Sequence, residues 1–238
     1  MPHFFSGTAT TRSRAFDAVD PSDISLSVVP VEGTGRGPGN ARLKKDIVEL
    51  IDFVKGYFAS PKHVGALTPS SRGLAERITD AACVGEADAV IEFGPGTGAF
   101  TEVISRRIRS GAKFFAMEIN EEFVHACQER CPGVKIFHDS AANARRYMDE
   151  MGLEYCDCIV SGLPFANFEN DLQDNLLDTA YGLLRPGGIF VTFTYFFSPY
   201  MPRGRRFRRR LEGRFSKVEK TGIVWSNVLP AFAYRAIK

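Results

Sequence analysis

Four stretches of the 238-residue chain combine residue types and spacings that can do chemistry. The first is Glu92-Phe93-Gly94-Pro95-Gly96-Thr97-Gly98, placed where a short apolar run ends and a helical period begins. Glycine lets the backbone turn tightly and approach a ligand with no Cβ in the way. The third glycine comes one residue too early for a dinucleotide fingerprint, and Pro95 tightens the loop further, which argues against a pyrophosphate seated on the following helix. The second is Glu118, followed by Ile119, at the end of the next strand, where a carboxylate can accept both hydroxyls of a ribose. The third is Asp139, followed by Ser140, at the end of the strand after that, able to accept from an adenine amino group. Each carboxylate taken singly reads equally well as a strand-end or cap residue. Together with the loop they fall at the carboxyl ends of adjacent strands, where open α/β sheets bind ligands. The fourth stretch is Ser161-Gly162-Leu163-Pro164-Phe165, a tight turn with a proline and an aromatic residue after another apolar strand.

The elements that position these residues follow from hydrophobic periodicity. Residues 1–40, rich in Ser, Thr, Gly and Pro, hold no sustained period and read as a flexible extension. Leu43, Ile47, Leu50, Ile51, Val54, Tyr57 and Phe58 recur at helical spacing and predict an amphipathic helix over 41–58 at the start of a single domain, 41–238. Ser71 is placed to cap a helix over 72–82. Strands and helices then alternate. Strands are expected at 87–93, 113–117, 134–138, 156–160 and 189–196, and helices at 100–109, 121–130, 141–151 and 172–184. That order implies a doubly wound parallel sheet. Two closing strands, 215–224 and 231–237, have no helix between them and predict an antiparallel hairpin at the sheet edge.

Composition excludes other classes. The apolar fraction of 44% and charged fraction of 24% are those of an ordinary globular domain. No 18-residue uncharged apolar run exists, and the first residues lack the layout of a secretory signal, so the expected compartment is the cytoplasm. The five cysteines include pairs four apart (Cys127, Cys131) and two apart (Cys156, Cys158), neither with zinc-knuckle spacing. No metal site is expected. Cys156 and Cys158 should share one strand face as reduced core thiols. The net charge of +2 conceals seven arginines between Arg203 and Arg214. That run suits an anionic membrane surface or RNA phosphates, or is a solvated loop.

The loop E-x-G-x-G-x-G resembles that of class I methyltransferases, whose cofactor, S-adenosylmethionine, carries no phosphate. The turn Ser161 to Phe165 is similar to the acceptor motif of those that methylate amino groups. Residues 60–72, Glu92 to Gly98, Val160 to Pro164, Leu184 to Gly188, Phe193 to Tyr195 and Val224 to Pro230 together resemble bacterial phospholipid N-methyltransferases over about residues 41–238. They are also similar to the rRNA adenine dimethyltransferases, whose acceptor motif is Asn-Leu-Pro-Tyr. Ser-Gly-Leu-Pro-Phe lacks the Asn and the Tyr, which favours the lipid branch.

The resemblance implies a Rossmann-like, mostly parallel seven-stranded sheet and N-methylation of the phosphatidylethanolamine head group, with a soluble amine, another aminolipid or rRNA adenine as alternatives. It also implies peripheral contact with an anionic membrane at the inner face. The cofactor contacts would be Glu92, Gly94, Gly96, Thr97, Gly98, the pairs Glu118–Ile119 and Asp139–Ser140, and Ser161. The backbone carbonyls of Ser161 to Leu163 can hold the amine N–H groups, and Phe165 can face the amine by cation–π attraction or be a buried turn residue. Tyr195 can meet the amine or sit at the core edge. Leu163, Pro164, Phe165 and Tyr195 are thus the candidate catalytic positions. An rRNA enzyme would carry a basic helical domain after the catalytic fold, so nucleic acid is not the expected partner.

Overall fold

The computed structural model describes residues 71–227 and 229–238. The extension 1–40, the helix at 41–58 and the segment before Ser71 lie outside the described residues. The first described helix, α1 (Arg72–Ala81), begins as its sequence dictates: the Ser71 hydroxyl accepts from the Leu74 amide. Such a cap contributes about 1 kcal/mol. Strands and helices then alternate through β1 (Ala89–Phe93), α2 (Ala99–Arg107), β2 (Lys113–Glu118), α3 (Glu121–Arg130) and β3 (Lys135–His138). They continue through α4 (Ala144–Glu150), β4 (Cys156–Ser161), α5 (Asn170–Leu183) and β5 (Leu184–Tyr195). Helix α6 (Pro202–Glu212) precedes the closing strands β6 (Lys217–Lys220) and β7 (Ala231–Ile237).

The seven strands form one sheet in the order β3-β2-β1-β4-β5-β7-β6. β1 pairs in parallel with both β2 and β4, and β7 runs antiparallel between β5 and β6. The chain reverses its winding between β1 and β4, and ligands of open α/β sheets bind at the carboxyl ends of strands at such a switch. Alternation along the strands separates two apolar layers. Ile91, Phe115, Met117 and Phe190 face α4, α5 and α6. Val90, Cys158, Val160 and Val191 face α1 and α2, and Ala116 and Ile136 meet α3 on that same side.

Three expectations are corrected. Cys156 and Cys158 do not share a face, because the register of β4 on β5 shifts between them. Cys156 therefore packs in one layer and Cys158 in the other. The closing strand at 215–224 is shorter, since regular pairing covers Lys217–Lys220 and resumes only as an isolated bridge between Val224 and Ala231. The arginine run is not a loop: it is helix α6, opened by Pro202 and folded over Gly204, Phe207 and Leu211, all buried. Phe207 stacks on Phe165 at 5.2 Å and meets Tyr234 edge-on at 6.1 Å. Phe207→Ala should therefore destabilise the protein by about 3–5 kcal/mol, read as a lower midpoint in urea with an unchanged slope.

Candidate functional site

The glycine loop between β1 and α2 takes a shape that only glycine adopts freely: Gly94, Gly96 and Gly98 have φ of +68°, +55° and +83°. Gly98 caps α2, and the Gly98 amide donates to the Pro95 carbonyl. A side chain at Gly98 would crowd Cys127 Sγ and the Arg130 stem, whereas Gly96 opens onto free space. Thr97 is half-buried, and its carbonyl accepts from Arg130.

Glu118 locks this loop to the end of β2. Its Oε2 accepts from the Gly96 amide at 3.1 Å, and its Oε1 accepts from the amides of Ile119 (2.9 Å) and Asn120 (3.0 Å). With three backbone donors, the carboxylate is held in place and keeps one free lone-pair position. Beside it Ile119 is a large apolar side chain that is 71% exposed. Asp139 is held in the same manner from three sides. Oδ1 accepts from the Ser140 amide and the Asn143 side chain, and Oδ2 accepts from the Tyr147 hydroxyl at 2.9 Å. These hydrogen bonds, Asn143 first, hold the Asp139 carboxyl below its ordinary value. Ser140 uses its hydroxyl to accept from the Ala142 amide, starting the turn into α4.

Glu92 is fully buried beneath the loop. The Thr101 hydroxyl donates to its Oε2 at 2.7 Å, while Oε1 has no partner. Burial pushes this carboxyl up to about 8, outweighing the Thr101 hydrogen bond, and the charge of Glu118 adds to the rise. A cofactor with cationic groups fits above an orphaned carboxylate oxygen, and a flat adenosine fits an open glycine turn flanked by Ile119, Glu118 and Asp139. The residues present thus suit S-adenosylmethionine.

The second loop packs directly on the first. The Gly162 amide donates to the Phe93 carbonyl at 2.9 Å, and a Cβ at Gly162 would run into the Gly94 carbonyl oxygen. A Cβ at Gly94 would in turn strike the Leu163 side chain. Ser161 is fully buried, and its hydroxyl accepts from the Leu163 amide, so it shapes this turn. The Leu163 carbonyl accepts from the Phe165 amide. Phe165 is only 2% exposed and packs against Phe207, Phe190 and Phe168, so most of its ring belongs to the core.

Beyond this turn opens a cavity of about 460 Å³. Pro164 to Asn167 form one wall, Phe193, Tyr195 and Phe197 at and just after the end of β5 another, and Met201 to Gly204 with Arg206 at the start of α6 a third. Tyr195 is sandwiched by its neighbours, parallel to Phe197 and edge-on to Phe193. Pro164, Phe165 and Tyr195 thus line one cavity, Leu163 packs against Gly94 instead, and the loop, Glu118 and Asp139 lie at the ends of β1, β2 and β3. The Asn227 side chain accepts from the Ser71 amide and donates to the Leu229 carbonyl, tying α1 to the loop before β7. Sequence reasoning missed Thr101, Asn143 and Tyr147, which hold the acidic side chains. The latter two lie four and eight residues after Asp139, a helical spacing that signals them.

A family profile described as a methyltransferase domain matches residues 90–188. The chain is 28% identical over 158 residues to an ornithine lipid N-methyltransferase of Singulisphaera acidiphila, covering 65% of this chain and 82% of that protein. It is 30% identical over 131 residues to the ribosomal RNA small subunit methyltransferase A of Thermotoga maritima, covering 53% of this chain and 43% of that one. The chain thus spans less than half the length of that rRNA enzyme. Among solved structures, an O-methyltransferase from Bacillus cereus in complex with SAH superposes with a TM-score of 0.57 at 16% identity, covering 79% of this chain and 90% of that one.

Two outcomes test this geometry. Gly162→Ala should lower turnover about a hundredfold by displacing one loop from the other, measured beside an unfolding curve that shows a folded protein. The folded state holds the Glu92 proton that the unfolded chain releases between its ordinary 4.5 and about 8. Stability of the cofactor-free protein should therefore fall as pH rises through that window, and Glu92→Gln should flatten the slope in melting curves from pH 5 to 9.

Proposed function

As a class I, S-adenosylmethionine-dependent methyltransferase, the chain is an enzyme, and we propose that it methylates the amino group of an aminolipid head group. The observation that carries this reading is the contact between the two loops. The turn that begins the acceptor cavity rests on the backbone of the cofactor loop, so a group in the cavity lies beside whatever the glycine loop holds. When bound, S-adenosylmethionine would supply an electrophilic sulfonium methyl for the acceptor nitrogen.

The chain's own residues then have to present a neutral amine and keep water away. A primary ammonium has a pKa of roughly 10 in water. The aromatic walls formed by Phe193, Tyr195 and Phe197 disfavour the charged form by desolvation. Among the described lining residues there is no carboxylate or histidine to act as a base, so positioning carries most of the acceleration. A nitrogen acceptor on a lipid agrees with the resemblance to the ornithine lipid enzyme, and the head group is either of that kind or phosphoethanolamine. The exposed face of α6 with Arg205 and Arg209 beside Tyr200, itself 75% exposed, suits peripheral contact with an anionic surface. Among the described residues no helix is long and apolar enough to cross a membrane.

Purified protein incubated with methyl-labelled S-adenosylmethionine and detergent micelles of ornithine lipid or phosphatidylethanolamine should transfer label to the lipid fraction. Binding of the cofactor with no labelled lipid of either kind would overturn the lipid assignment and leave the enzyme class standing.

A further inference from the structure

Three arginines of the run are tied into ion pairs. Arg208 pairs with Glu212, Arg210 with Asp174, and Arg214 with Asp174 and Asp178. These ion pairs fasten α6 along itself and onto α5. The two arginines that line the acceptor cavity, Arg203 and Arg206, have no carboxylate partner among the described residues. Among the described residues Arg206 is steadied by Asn170 Oδ1 at 3.2 Å, and Arg203 has no partner. Both are held at the mouth by the backbone. Gly204 between them is pressed against the Ser198 turn so closely that a Cβ there would run into the Ser198 carbonyl.

Among the described residues the cavity lining therefore carries two positive charges and no negative side chain. An acceptor that is only an amine would meet them as an ammonium and be repelled. A molecule with an acidic group beside its amine would be attracted by that group, since guanidinium groups bind carboxylates and phosphates through charge-assisted hydrogen bonds. We propose that Arg203 and Arg206 are the specificity residues of this site, holding a carboxylate or phosphate of a zwitterionic acceptor whose amine points inward to the Pro164 turn. This assignment rests on the methyltransferase reading above. It has a second consequence. Fixed cations near the amine favour its neutral form, so the groups that select the substrate also help to deprotonate it. Tyr195 on β5 is the other titratable group lining the cavity, and the Pro164–Asn167 wall contributes none.

The test uses three soluble acceptors with the intact protein: short-chain phosphatidylethanolamine, a short-chain acylated ornithine, and dodecylamine. Arg203→Gln with Arg206→Gln should raise KM for the acid-bearing acceptors about ten- to a hundredfold, with a smaller change in kcat. The acidic limb of the kcat profile should move to higher pH, because the amine regains its proton affinity. Arg203→Lys and Arg206→Lys should restore part of the loss. Dodecylamine turnover should not fall, and Arg208→Gln should behave as wild type. The arm with the larger loss, phosphate or carboxylate, identifies the acidic group. An unchanged KM for both acid-bearing acceptors, or methylation of dodecylamine in preference to them, would overturn the proposal and leave N-methylation intact. If the wild type methylates none of the three, the aminolipid reading fails by itself. Binding of the two acid-bearing acceptors in the presence of S-adenosylhomocysteine then decides: weaker binding to the double Gln variant supports the proposal, and equal or absent binding overturns it.

Discussion

The contact of one loop backbone with another, Gly162 against the Gly94 carbonyl, is the constraint on which the rest of the site depends. It requires the absence of a side chain at both positions, and it requires β1 and β4 to be neighbours with Phe93 opposite Ser161. Parallel pairing brings the two strand ends level, and the reversal of winding leaves the space above them uncovered by a crossover. The topology of the sheet therefore sets the distance between donor and acceptor, and the helices set only what surrounds them.

Around that contact, the acidic residues are positioned by donors rather than by opposing charges. Glu118 is held by three backbone amides and Asp139 by an amide, an amide side chain and a hydroxyl. Hydrogen bonds of this kind fix the direction of a carboxylate without neutralising it, so its charge stays available to a ligand. Glu92 is the contrast: it is buried with one oxygen unpaired among the described residues, an arrangement that costs free energy until a partner is supplied.

Much of this was legible in the sequence. The strand-loop-helix around Glu92 to Gly98 and the strand ends at Glu118 and Asp139 follow from apolar runs of fixed period, and the helix Glu121–Arg130 lies where the pattern places it. What the pattern hid has physical causes. Cys156 and Cys158 obey a period of two only if the strand is regular, and a shift in register broke it. Helix α6 was masked by charge, because its six arginines overwhelm the signal of Phe207 and Leu211 four residues apart. The motif alone left Phe165 either facing the amine or buried in the turn, and Phe207, distant in sequence, supplies the stacking partner that draws it inward. A contact between residues 42 positions apart leaves no trace in local periodicity.

The irregularity in β4 has an experimental consequence. Two thiols separated by one residue lie on opposite sides of the sheet, each buried among a different set of helices. Desolvation pushes both well above the ordinary thiol range, so neither reacts while its own layer stays closed. Alkylation of Cys156 reports the opening of the layer that contains α4, α5 and α6, and alkylation of Cys158 reports the layer of α1 and α2. A pulse of alkylating reagent followed by peptide mapping would resolve the order in which the two halves of the molecule come apart, from a single strand and without an introduced label.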